Sequence, residues 1–168
     1  MASKEGKEYI EQAIDDALKI LKDCELCRQM FDSEGSNYPI DLLEQLRRDK
    51  AIIISPEAPT RWKLSANRKK LTVKLSQKLN SAAAGVVDLL ERRAGEMGLP
   101  CIYVNPTGFM VTGSRAENFG LYGLEPRVQR SVALIHELAH VAGVLQFDGD
   151  EGEEPKNNVK SGANTNCV

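Results

Sequence analysis

SVALIHELAHVAGVLQFDGD, residues 131–150, carries both histidines of the 168-residue chain. They stand four apart with Glu137 between them. An α-helix brings residues i and i+4 onto one face, one turn apart, so His136 and His140 can reach a single metal ion. Glu137 lies about 100° further round the helix. It is poorly placed to bind the same ion and well placed to touch a water on it. HExxH on a helix is thus the pattern of two zinc ligands and a general base beside zinc-bound water. Zinc suits imidazole nitrogen and lowers the pKa of its water to roughly 7. The flanks are apolar, and a buried helix without metal would gain nothing from three polar groups in its middle.

A catalytic zinc takes three protein ligands and keeps one position open. With no third histidine, the remaining ligand is Asp or Glu, or else Cys. Gly143, three residues past His140, lets the helix end or bend so that the chain can return toward the metal. Asp148 and Asp150 are then the candidates in reach. Asp148 is the first choice, because Leu145 and Phe147 can pin the turn and Gly149 lets the backbone reverse. Glu151 and Glu153 lie further into the polar tail. Calcium is the rival occupant for the acidic DGDEGEE, since clustered carboxylates suit hard cations. The spacing does not match the twelve-residue EF-hand loop.

Outward from this segment, Pro126 suits a first helical position, and Val132, Ile135, Leu138 and Ala139 continue the helix to about Leu145. Residues 106–125 are glycine-rich and irregular. LPCIYVN (99–105) reads as a strand, and SAAAGVVDLLERRAGEMG (81–98) as a helix ending in glycines. RWKLSANRKKLTVKLS (61–76) alternates apolar and polar around a turn near Asn67, a hairpin signal. AIIIS (51–55) is a short β-branched strand bounded by the breakers Pro56 and Pro59. IDLLEQLRRDK (40–50) is a short helix with Asp41 near its start and basic residues at its end. Residues 5–31 space Tyr9, Ile10, Ala13, Ile14, Ala17, Leu18, Leu21 and Leu26 as one long amphipathic helix, stopped by DSEGSNYP. No repeat or linker divides the chain. The expectation is a single α+β domain over residues 1–168, a small mixed sheet packed on helices.

Composition narrows the partners. A 42% hydrophobic fraction and a net charge of −2 indicate a globular chain without the basic field that nucleic acid requires. No apolar run approaches the ~20 residues of a membrane span. The first residues contain no apolar stretch of a signal peptide. A secreted or periplasmic location is expected if the chain is a mature form, and a cytoplasmic one otherwise. A monomer is the expected state. Of the four cysteines, Cys24 and Cys27 share a helical face at i,i+3, and Cys101 opens a strand as packing. Cys167, next to last, packs little. It either tethers the tail by a disulfide to Cys24 or Cys27, which implies an oxidising compartment, or all four stay reduced. The tether closes a long loop and contributes ~4 kcal/mol on the chain-entropy account.

HELAHVAG resembles the zincin metallopeptidases, HExxH followed by xxG as in the metzincins. It departs from the metzincins where Gln146 stands in place of a third histidine, and no methionine follows the motif. The wider pattern is similar to small, mostly uncharacterised bacterial secreted metallopeptidases. There a strand with Asn and then GxF precedes the HExxH helix, an Asp-Gly turn follows it, and Ser, Asn and Cys close the chain. The matching residues are Asn105, Gly108 and Phe109; Asp148 and Gly149; and Ser161, Asn164 and Cys167. The resemblance implies a zincin-like fold and a zinc metalloendopeptidase. One zinc ion would sit on His136, His140 and Asp148, with Glu137 as catalytic base and a protein or peptide as substrate. The competing expectation is a non-catalytic zinc-binding interaction domain. IYVN (102–105) is either the sheet edge beside which a peptide docks or an ordinary core strand. Tyr103 and Tyr122 are possible oxyanion donors.

Asp148→Ala is expected to weaken zinc binding by orders of magnitude. Asp150→Ala is expected to weaken it less, through the shape of the turn. Zinc content after dialysis against a weak chelator ranks the two. The reverse order moves the ligand to Asp150, and no loss in either moves it to Glu151, Glu153, Glu117 or Glu125.

Overall fold

The computed structural model describes residues 3–31, 37–64, 71–78, 84–86, 102–116 and 123–142, the strands between 57 and 86 through their backbone. Helix α1 (Lys4–Asp23) begins at Ser3, whose Oγ accepts the Gly6 amide at 3.0 Å. This satisfies one of the amide donors that a helix start leaves open. Its stripe Ile10, Ala13, Ile14, Ala17, Leu18 and Leu21 is buried, as the spacing predicts.

The long helix expected over 5–31 is interrupted. At Cys24 the backbone is extended (φ −116°, ψ 107°), and a new short helix, α2 (Glu25–Gln29), follows. The last carbonyls of α1 do not go unpaired at the break, because the Arg28 guanidinium folds back to Leu21 O at 2.8 Å and to Lys22 O. The change of direction buries Cys27 and leaves Leu26 exposed, although periodicity puts Leu26 on the apolar face. Cys24 and Cys27 therefore do not share one face of a continuous helix. Helix α3 (Tyr38–Arg48) starts earlier than its apolar run, with Tyr38 and Pro39 in its first turn, and buries Leu42, Leu43 and Leu46.

Strand β1 (Ile52–Ile54) lies where AIIIS places it. The hairpin of β2 (Glu57–Leu64) and β3 (Leu71–Lys78) is antiparallel and longer than the alternation suggests. Pro59 lies inside β2 and does not bound β1. It sits where the register shifts, in a two-stranded sheet, the setting in which a strand tolerates a missing amide. The turn near Asn67 falls outside the described residues.

Residues 84–86 overturn part of the helix expected over 81–98. They form strand β4 (Ala84–Val86), antiparallel to β5 (Ile102–Val104). An alanine-rich run favours a helix by local propensity, but strand β5 offers a ladder of backbone partners, and here that outweighs a preference of a few tenths of a kcal/mol per residue. Strand β1 pairs with β5 in parallel, so the three-stranded order is β1-β5-β4. Strand β5 is central and its edges are taken, so IYV is a core strand and not a peptide-docking edge.

After β5 comes a short helix, α4 (Phe109–Thr112), inside the stretch expected to be irregular. Helix α5 (Pro126–Val141) follows with Pro126 in its first turn. It ends at Val141 with Ala142 as cap, rather than near Leu145. The α+β arrangement holds at this level: helices α1, α3, α4 and α5 share one core with β1 and β5. None of the described helices is long and apolar enough to cross a membrane.

Two glycines let α4 approach α1. A Cβ on Gly6 would collide with Val111. Gly113 caps α4 at φ +74°, and a Cβ there would stand 2.7 Å from the Tyr9 ring. Gly113→Ala therefore combines a left-handed backbone with a clash. It is expected to destabilise the protein by roughly 2 kcal/mol. The corresponding fall in Tm is about 4–8 °C for a chain of this size, measured by thermal unfolding.

Candidate metal centre

Helix α5 is enclosed by α1, α3, α4 and β4. From Gln129 to Ala139 every residue but Ala133 is buried. Its first half is fixed by polar bonds. Gln129 lies in the interior and clasps both backbone groups of Ala116: its Oε1 accepts the amide at 2.8 Å and its Nε2 donates to the carbonyl at 2.7 Å. Arg127 donates from Nε and Nη2 to Asp16 on α1 at 2.7 and 2.9 Å. This pairing raises the Arg127 pKa above its ordinary value, chiefly through the hydrogen bond. Arg130 stacks over the Tyr9 ring at 4.4 Å and donates to Gln12 at 3.1 Å. Burial pushes the Arg130 guanidinium down.

Two buried polar residues on α5, Gln129 and Arg130, thus have structural partners. Burial of a polar group in this helix does not by itself mark a metal ligand. That weakens the sequence argument from an apolar helix middle, and the case for a metal passes to geometry.

The geometry lies in the second half of α5. His136 is buried at 2% exposure and His140 is half-buried, and their Nε2 atoms point at each other 3.0 Å apart. The ring planes are inclined at 71° with centroids 4.7 Å apart. Two nitrogens on a tetrahedral zinc, each at 2.0–2.1 Å, stand about 3.3 Å from one another. The observed separation fits that pair after a shift of a few tenths of an ångström. It also suits a hydrogen bond between one imidazole and its neighbour in the metal-free protein. In both cases the helix alone brings the two Nε2 atoms together. His140 lies in the last turn of α5, where the helix dipole favours a cation.

Glu137 is buried at 6% exposure, beside this pair on the next helical position. Asn105, the residue after β5, is also buried. Its Oδ1 accepts from the amide and hydroxyl of Thr107 at 3.0 and 2.9 Å, which shapes the turn into α4.

Among the described residues no group of three or more His, Cys, Asp and Glu side chains comes together in metal-binding reach. The described part thus brings two candidate ligands together, His136 and His140. Asp148, Asp150, Glu151, Glu153 and Glu117 lie outside the described residues, as does Tyr122. Glu125 can be set aside. It precedes the first turn of α5 and is exposed, and His136 is eleven residues further along, roughly 16 Å up the axis. Tyr103 is half-buried on the central strand β5. The sequence reading missed Gln129 and Arg130. Both are polar residues at helical spacing with the apolar set, a pattern that resembles a solvated face. No family model, curated protein or solved structure matches this chain.

Zinc that binds the native state alone should raise Tm, since metal at 100 times its dissociation constant adds about 2.7 kcal/mol. His136→Ala and His140→Ala should each abolish that rise. A thermal scan with and without zinc, beside metal analysis of the dialysed protein, measures both.

Proposed function

We propose that this chain is a zinc-dependent metallopeptidase of zincin-like architecture. The observation that carries the reading is the convergence of His136 and His140 Nε2, 3.0 Å apart on a buried helix, with Glu137 next to them. Three chain ligands and an open position are the requirement for catalysis. A carboxylate beyond α5, Asp148 first, completes the set in this reading.

When bound, zinc supplies Lewis acidity at the scissile carbonyl and makes a water acidic enough to ionise near neutral pH. The chain's own part follows from its residues. His136 and His140 would hold the ion from a helix whose preceding turns are fixed by Gln129, Arg127 and Arg130. Glu137 takes the proton of the attacking water and hands it to the departing amine. The substrate is a protein or peptide.

The competing reading is a zinc-binding domain without catalysis. The low exposure of Glu137 favours it, because a base must meet its substrate. One variant separates the two. Glu137→Gln is expected to keep zinc and to lose nearly all hydrolysis of casein or a peptide library, since it spares the ligands and removes the proton acceptor. Cleavage at the wild-type rate in this variant would rule out the mechanism. Zinc without cleavage in the wild type supports the competing reading.

A further inference from the structure

The net charge of −2 conceals a segregation along the sequence. Residues 58–87 contain no acidic residue, and within them residues 61–78 hold seven basic ones, Lys63, Lys74 and Lys78 among them. The rest of the chain sets 15 basic residues against all 24 acidic ones. A stretch of charge +7 thus belongs to a chain that is otherwise −9. Overall charge does not report such a field, because the field is local.

The two ends of this stretch form the β2–β3 hairpin, which among the described strands pairs with no other. Each strand has eight residues and so runs ~26 Å. The register sets Trp62 opposite Val73, Leu64 opposite Leu71, and Lys63 opposite Thr72. Opposite residues share a face of a ribbon, and neighbours along a strand alternate. Trp62, Leu64, Leu71 and Val73 therefore belong to one face, and Lys63 and Thr72 to the other. Lys74, two residues past Thr72, stands where the register shifts between Arg61 and Trp62. Such a bulge strengthens the local twist. Glu57, opposite Lys78, is the only acidic residue of the two strands.

We propose that the β2–β3 ribbon is a nucleic-acid-binding arm that holds the phosphate backbone by charge, without reading bases. Cations this dense repel one another, and a polyanion relieves the repulsion while releasing its own counterions. The shape of the element selects nucleic acid among polyanions. The major groove, ~12 Å wide, admits a two-stranded β-ribbon. A duplex carries one charge per ~1.7 Å of its axis, so strands ~26 Å long meet many phosphates at once. A twisted ribbon follows a groove, whereas a flat anionic bilayer meets it along a short length only. This inference is independent of the metal centre.

The test is fluorescence anisotropy of a labelled random-sequence DNA duplex titrated with the full chain, from about 50 to about 200 mM salt. Binding is expected at the low end, with log K falling linearly in log salt. Lys63→Glu with Lys74→Glu should weaken it by about tenfold or more. Each phosphate contact contributes about 0.9 to the salt slope, so the slope should fall by roughly 2. Lys63→Gln with Lys74→Gln should lower the slope equally, which keeps the test open if charge reversal unfolds the chain. Lys4→Glu with Lys7→Glu, at exposed positions of α1, makes the same change in net charge away from the ribbon and should leave the affinity within about twofold. No binding at about 50 mM salt overturns the proposal. So does an equal loss in the α1 and ribbon variants, which reduces the effect to net charge. Binding to phosphatidylserine vesicles and not to the duplex overturns it in favour of a membrane surface.

Discussion

The burial of helix α5 on nearly every side is the constraint on which the other elements depend. A helix so enclosed must find a partner for each polar side chain it carries, because unpaired polar groups away from water cost several kcal/mol. Its first half meets that demand through α1 and the segment after α4. Asp16 takes Arg127, Tyr9 and Gln12 take Arg130, and Ala116 takes Gln129. The same contacts fix the length and direction of α1, and they require α4 to lie close enough for the Ala116 backbone to reach α5. Glycines at 6 and 113 make that approach sterically possible.

Rigidity in the first half passes to the second. A helix held along its first two turns fixes the rotational setting of His136, Glu137 and His140. The two imidazoles then meet at their Nε2 atoms, set by the helix alone. For these two side chains the entropy of ordering is lost on folding and not on any later binding step. It also makes Glu137 and the two histidines one unit, since all three ride on the same helix.

The central position of β5 constrains the same region from the other side. Strand β1 occupies one edge and β4 the other, and β4 lies against α5. The sheet therefore presents β4, not β5, beside the helix that bears the histidines. The chain enters α4 directly from β5 through the Asn105 turn. The end of the central strand, the short helix and the clasp on Gln129 thus form one connected path to the helix that bears the two histidines.

Periodicity determined much of this. The apolar stripe of α1, the apolar face of α3, the β-branched β1, strand β5 and a helix opening at Pro126 follow from spacing and breakers. So does the pairing of His136 with His140, because i,i+4 geometry is a property of any α-helix. Other features were decided only by tertiary structure. The break at Cys24 carries no glycine or proline to announce it; it is held by a guanidinium that returns to the α1 carbonyls. Residues 84–86 prefer a helix by composition, and the open edge of β5 made them a strand. Pro59 bounds a strand in most contexts and sits within one here, because a two-stranded sheet has edges that need no amide. Gln129 and Arg130 resemble a solvated face in sequence, and their burial came from what the rest of the chain laid over them. Local spacing fixes which face a residue shares. Which face is covered, and by what partner, depends on contacts between residues far apart in the chain.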